Sequence, residues 1–258
     1  MNIALITMGV LVAGLLIAAA GCSLDISAES SANFRFTEMI QRDFTFTQLE
    51  SLRLENSVGR IKIEGWSENR VTLTAIKKAK TQEYLAQATV EIKSTADTLE
   101  IRSIHPKGWA VHWNVDYTLK VPFGTALNLD QGVGDIEVKN YHGKISANQG
   151  VGEVIFIDTQ APEFDFDLGI GDLDLKNLQA NSIHASVGTG DLTAHLSQDA
   201  SFQVSASVGF GDLSISGFEK MTVRKEGFIA HSAHGTLGDG VGLLRLDVGV
   251  GDLSVEPI

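Results

Sequence analysis

Six acidic side chains recur at one position of a short phrase, and their type and spacing are the first hint of chemistry. Asp135, Glu153, Asp172, Asp191, Asp212 and Asp252 each close a Gly-x-Gly-acid run, as in Gly132-Val-Gly-Asp135 and Gly169-Ile-Gly-Asp172. If successive runs stack as neighbouring strands about 4.8 Å apart, adjacent carboxylates repel by about 0.9 kcal/mol even in water. Two arrangements offset that. A row of divalent cations is one, because Ca²⁺ takes carboxylate oxygens readily. The other is turn chemistry, in which each carboxylate accepts backbone N–H groups of its own turn, as Asx turns do. The period is longer, and Gly and Asp sparser, than in the Ca²⁺-binding nonapeptide repeat. Turn chemistry is therefore the expectation, and no metal or cofactor is assigned.

The other candidates are weaker. His231-Ser-Ala-His234 has a metal-like spacing, but zinc needs three or four converging ligands, and an exposed loop is expected there. His184 and His195 flank inward positions and should face out. Ser182, Ser186, Ser205 and Ser207 fall on solvated strand faces. No Gly-x-Ser-x-Gly elbow occurs, and the Gly-x-Gly phrases lack the following helix and third glycine of a nucleotide loop. No catalytic residue is assigned, and the chain reads as a non-enzyme. Trp109, Val111 and Trp113 share one strand face. They fill the core of a wider first half or, if exposed, form an aromatic platform for a glycan or a partner protein.

The elements that carry the acids are legible from the repeat. The first glycines stand at 132, 150, 169, 188, 209 and 249, in steps of 18, 19, 19, 21 and 40, the last reading as two periods with one copy eroded. A fixed period in this range marks a solenoid, whose units bury apolar faces only against their neighbours. Phe164, Phe166, Leu168 and Ile170 alternate with polar residues like a half-buried strand. Leu173 and Leu175 alternate again after an odd step, which would put them on the wrong face of a continuous strand. The chain must therefore bend at each second glycine and acid: Gly134-Asp135, Gly152-Glu153, Gly171-Asp172, Gly190-Asp191, Gly211-Asp212 and Gly251-Asp252. Glycine suits such a corner. The expected fold is all-β: a β-solenoid of about 19-residue rungs, preceded by a less regular β half. Ser57-Val-Gly-Arg-Ile-Lys-Ile63 is an imperfect forerunner of the phrase, with Arg60 in the acidic slot. Thr81 to Ala88 is the one stretch with helical character, with Thr81 as N-cap. Pro122-Phe-Gly124 marks the junction into the repeats.

Residues 1–22 contain no Asp, Glu, Lys or Arg, and Ile3 to Ala20 is almost wholly apolar. That reads as an export segment, ending in Ala19-Ala20-Gly21-Cys22. This run resembles the lipobox of bacterial lipoproteins, which implies lipidation of Cys22 and, with Ser23 next, the outer membrane. An uncleaved membrane helix is the alternative, since about 18 apolar residues just span a bilayer. Cys22 is the only cysteine, so no intrachain disulfide exists. The organisation is a signal peptide over 1–21, a tether over 22–43 and one β unit over 44–258. Within it, 44–121 is irregular and 122–258 carries the repeats. The whole −12 charge lies beyond the export segment, which argues against nucleic acid as a partner.

The order strand, Ser57-Val-Gly-x-Ile-x-Ile63, strand, Tyr117-Thr-Leu-Lys-Val-Pro122, then Gly-x-Gly-Asp-Leu-x-Leu repeats resembles the bacterial putative-adhesin family, β-strand repeat domains of unknown function. The resemblance covers roughly residues 45–258. It implies a right-handed β-helix-like fold in an envelope or secreted protein, and no particular chemistry. Three function classes follow. The first is an envelope lipoprotein with a structural, adhesive or partner-binding role. The second is an ion- or glycan-binding module using the acidic column or the Trp109/Trp113 face. The third is a surface-polymer hydrolase, weakest because its outward Asp/Lys/Arg clusters are missing. The last strand, Leu253 to Ile258, has no capping helix, so end-to-end self-association through that edge is also expected.

Overall fold

The computed structural model describes residues 34–104, 113–226 and 230–258. They build an all-β structure with one short helix. The first half contains β1 (Phe36–Thr45), β2 (Ser51–Val58), β3 (Ile61–Trp66), β4 (Arg70–Ala79), α1 (Gln82–Gln87), β5 (Thr89–Ser94), β6 (Thr98–Ile104) and β7 (Trp113–Pro122). The repeats follow as β8 (Ala126–Val133), β9 (Ile136–Lys139), β10 (Ile145–Val151), β11 (Val154–Ile170), β12 (Leu173–Thr189), β13 (Leu192–Leu196), β14 (Phe202–Phe210) and β15 (Leu213–Ile215). The chain ends with β16 (Arg224–Glu226), β17 (His231–Leu237), β18 (Gly242–Val250) and β19 (Leu253–Pro257). The helix starts where its cap demands, with the Thr81 side chain accepting the Tyr84 N–H at 3.2 Å.

Each glycine corner joins two strands into a rung, and equivalent strands of successive rungs pair in parallel. After the corner, Ile136, Val154, Leu173 and Leu192 are direct partners. Before it, Leu127, Ile145, Phe164 and Ile183 are. Parallel in-register pairing puts like residues above like. The alternation inside each strand thus becomes apolar columns lining the interior. All of them join one core, in which Phe156 meets Phe164 and Phe166 edge-on at 4.9 and 5.5 Å. The Phe166 ring fits its column because Ala147 and Ala185 flank it above and below, a large–small alternation that keeps density high without strain.

The rungs do not stack in chain order. β18/β19 pairs with β12/β13 on one side and with β14/β15 on the other, so the rung of Gly251 lies between those of Gly190 and Gly211. The same happens at the other end, where β2/β3 sits between β6/β7 and β8/β9. Antiparallel strands then close the stack: β5 on β6, and β4 on β7 with β1 outside it. At the far end β17 lies on β14, with β16 outside it.

Four expectations change accordingly. The 40-residue step contains no eroded rung, because it leads through β16 and β17 and back into the stack. Leu253 to Pro257 is no free edge, since partners flank β19 on both sides. His231 and His234 belong to β17, not to a loop. Finally, residues 36–43, assigned to the tether, lie in β1, whose ten residues pair without a break against β4.

Candidate interaction surface at the corner column

The glycines of each corner are required by the rung beneath. A Cβ on Gly169 would lie 2.5 Å from the Gly150 carbonyl oxygen, and one on Gly171 only 1.9 Å from that of Gly152. Gly171 also has φ +135, backbone that side-chain-bearing residues rarely adopt. Gly134, Gly152, Gly190, Gly211 and Gly251 repeat that geometry. Two strands turn sharply at every level with nothing between the backbones.

The residue between the two glycines points out. Ile170, Phe210 and Val250 are expected inside by alternation, but they are exposed, Ile170 at 55 % and Phe210 at 66 %. The inward phase runs from Leu168 directly to Leu173, both buried. With Val133 and Val151, also exposed, these residues form one register column, Val58–Val133–Val151–Ile170–Thr189–Val250–Phe210. At about 4.8 Å per rung, the ridge runs roughly 29 Å along the stack.

Two residues on runs the acidic column, in spatial order Asp116, Arg60, Asp135, Glu153, Asp172, Asp191, Asp252 and Asp212. Its hydrogen bonds differ from the expected turn chemistry. Five carboxylates, those of Asp116, Asp135, Asp172, Asp191 and Asp252, accept the backbone N–H of the equivalent residue in the adjacent rung. Asp191 donates to Asp172 Oδ1 at 2.9 Å, Asp252 to Asp191 Oδ1 and Asp212 to Asp252 Oδ1 both at 2.8 Å, and Arg60 to Asp116 Oδ1 at 2.9 Å. Glu153 to Asp135 Oδ1, at 3.4 Å, is the longest of the series. The corner explains this. The backbone ladder passes from Gly171 N–H to Thr189 and from Leu173 N–H to Asp191, skipping the acid's own N–H. A hydrogen bond to a charged acceptor contributes about 1.5–3 kcal/mol, more than the repulsion of about 0.9 kcal/mol between neighbours. Among the described residues, cations reach the column only at one end, Lys78 on Asp116 at 2.6 Å and Arg60 on Asp135 at 3.3 Å.

Three of the rungs have a second, left-handed bend. Asn140, Asp158 and Asn177 have φ between 47 and 56, and Asn177 Nδ2 donates to Asp158 Oδ1 at 2.8 Å. Asn and Asp tolerate this left-handed backbone better than other side chains. Each stands six residues after a corner glycine, as Gly65 does after Gly59, a spacing that could have been read from the sequence.

The remaining candidates separate. Trp113 is buried, and Trp109 lies outside the described residues, as do Cys22 and the export segment. His184 Nδ1 sits 3.0 Å from Asp165 and His195 Nδ1 3.3 Å from Glu256, on different faces of a rung. Among the described residues no three His, Asp or Glu side chains converge as a metal ion would require, and no helix is long and apolar enough to cross a membrane. Perturbed groups belong to the framework. Burial pushes the Tyr117 phenol up to about 12, against a lowering hydrogen bond with Ser103, and raises Tyr141 as well. The Arg102 guanidinium bonded to Glu55, and the Lys139 ammonium bonded to Glu137, hold those carboxyls below the ordinary range.

No curated protein matches the chain. Among solved structures it is similar to a putative cell adhesion protein from Clostridium sporogenes, with a TM-score of 0.50, 16 % identity, 86 % of this chain and 100 % of that one covered. It also matches a putative adhesin from Bacteroides fragilis, with a TM-score of 0.35, 14 % identity, 84 % of this chain and 97 % of that one covered. The first likeness concerns the fold alone. The sequence model of the Toastrack DUF4097 family matches residues 22–256, and the chain belongs to that family.

Proposed function

We propose that this chain is a non-enzymatic protein of the bacterial cell envelope, held to the membrane by a lipid on Cys22. Its rungs of about 19 residues wind as a β-solenoid whose corner edge contacts a partner protein or glycan. The observation that carries the reading is the exposed apolar ridge. Core packing accounts for every inward column, yet nothing inside the fold requires Val133, Val151, Ile170, Val250 and Phe210 to be apolar. Repeated large apolar side chains in one exposed line are the usual mark of a contact surface. The stacked glycines supply the rigidity that keeps such a line straight. Adhesion, the role in the Clostridium sporogenes neighbour's name, is one form of such a contact.

A photo-crosslinking amino acid at Ile170 or Phe210, in intact cells, tests this. Discrete adducts at both ridge sites, absent when the same group replaces outward-facing Asn128, support the reading. Adducts no more frequent than at Asn128 reject it. Lipid attachment is tested separately by palmitate labelling, which Cys22→Ser should abolish.

A further inference from the structure

We propose that the outer edge of β1 is a self-pairing interface, where two copies of this chain join their sheets about a two-fold axis at Ile40. The strand runs ten residues in unbroken register with β4, and no described strand pairs with its other side. A long edge without a proline or a bulge is a ready template for another strand.

The orientation of the free groups follows from the pairing with β4. Phe46 donates its N–H to the Asn69 carbonyl at 2.9 Å. By alternation, the even-numbered residues of β1 direct their backbone groups to β4, and the odd-numbered ones direct theirs to the open edge. An added antiparallel strand must then pair odd with odd. The even side chains share the face of the core: Phe36, Glu38, Ile40, Arg42 and Phe44 stand opposite Ala79, Lys77, Ala75, Leu73 and Val71. Those β4 residues are all buried, whereas none of the β1 row is. Ile40 and Phe44 pack half-buried against the core while Phe36, Glu38 and Arg42 stand exposed, so the cover of this face thins out at β1.

That row reads Phe-Glu-Ile-Arg-Phe, which is its own complement when reversed. Centred on Ile40, the pairing sets Phe36 against the copy's Phe44, Glu38 against its Arg42 and Ile40 against its Ile40. These fall at the non-hydrogen-bonded sites, where side chains approach most closely. Thr37 with Asp43, and Met39 with Gln41, take the hydrogen-bonded sites, and no like charges oppose. The neighbouring odd-with-odd registers set Glu38 against Ile40 or Phe44 and lose both ion pairs. The charges are also placed for it. Arg42 donates to the Gln41 carbonyl at 2.9 Å and reaches no carboxylate among the described residues, while Glu38 lies 2.8 Å from Lys77 on its other side. A strand that complements itself calls for a second copy, in the isologous arrangement of two-fold dimers.

The test uses the full chain in detergent, with mass followed by light scattering against concentration. Dimerisation is expected, weakened at least about tenfold by Glu38→Arg or by Arg42→Glu, and recovered in the doubly reversed chain, where opposite charges again face each other. In a Cys22→Ser background, Ile40→Cys should form a covalent dimer in air, because Cα atoms at that site lie about 4.5 Å apart, whereas Thr45→Cys should not. A monomer at every concentration overturns the proposal. So does a dimer indifferent to both reversals that fails to cross-link at Ile40. A chain that dimerises only after residues 23–33 are removed overturns it too, by showing that its own segment occupies the edge.

Discussion

Asp191 gives its backbone N–H to the Asp172 carboxylate, 2.9 Å away in the adjacent rung. The corner acids therefore stitch one rung to the next. Asp172→Asn keeps the acceptor oxygen and removes a charge from a repelling row, so its urea midpoint should stay within about 0.5 kcal/mol of the parent. Asp172→Ala removes the acceptor and should cost about 1–2 kcal/mol, the contribution of that bond less the repulsion relieved. Equal losses in both variants would show that charge, not the hydrogen bond, matters at this site.

Strain and crowding at glycine can be told apart. Gly124 has φ +85 with open space where a Cβ would go, whereas Gly171 combines φ +135 with the Gly152 carbonyl in the way. Gly124→Ala should cost about 1–2 kcal/mol from backbone strain alone. Gly171→Ala should exceed about 4 kcal/mol and lower the yield of folded protein, as read by urea unfolding and near-ultraviolet dichroism.

The ridge and the core make opposite predictions for apolar residues a few positions apart. Ile170→Ser and Phe210→Ser should leave stability within about 0.5 kcal/mol, because both side chains already meet solvent. Leu173→Ala, at a buried site, should cost about 2–5 kcal/mol. A large loss at Ile170 would mean the ridge is covered in solution, and unfolding at two protein concentrations would show whether by self-association.

Acid should destabilise the fold through Glu55 and Glu137. Both carboxyls lie below their unfolded value of 4.5 because Arg102 and Lys139 favour the charged form. Their contribution is thus fully present above that value and disappears as pH falls through the lower folded-state values. Glu55→Gln should flatten the urea midpoint's dependence on pH between about 5 and 3 by less than about 1 kcal/mol, since the pairs are partly solvated.

Much of this was legible in the residues themselves. The odd step around Gly171 requires a bend, and Thr81 caps the helix that follows it. The forerunner at Gly59 is a true rung whose Arg60 takes its place in the acidic column and pairs with Asp135. Where the reading of single residues failed, a neighbouring rung was the cause. Ile170 continues the alternation of Phe164 to Leu168, yet the bulge at the glycines turns it outward. Asp172 looks like an Asx-turn residue, yet the donor left open by the ladder belongs to the next level.

Spacing alone therefore determined that a corner recurs, which residues line the interior between corners, and that glycine must stand where the backbones touch. Only the tertiary structure decided which rung lies on which. Every rung offers its neighbour the same row of backbone groups and the same apolar columns, so β18/β19 fits beside Gly190 as well as β14/β15 would. The connection through β16 and β17 is long enough to allow that return, and the antiparallel strands at both ends close a stack whose order no single rung encodes.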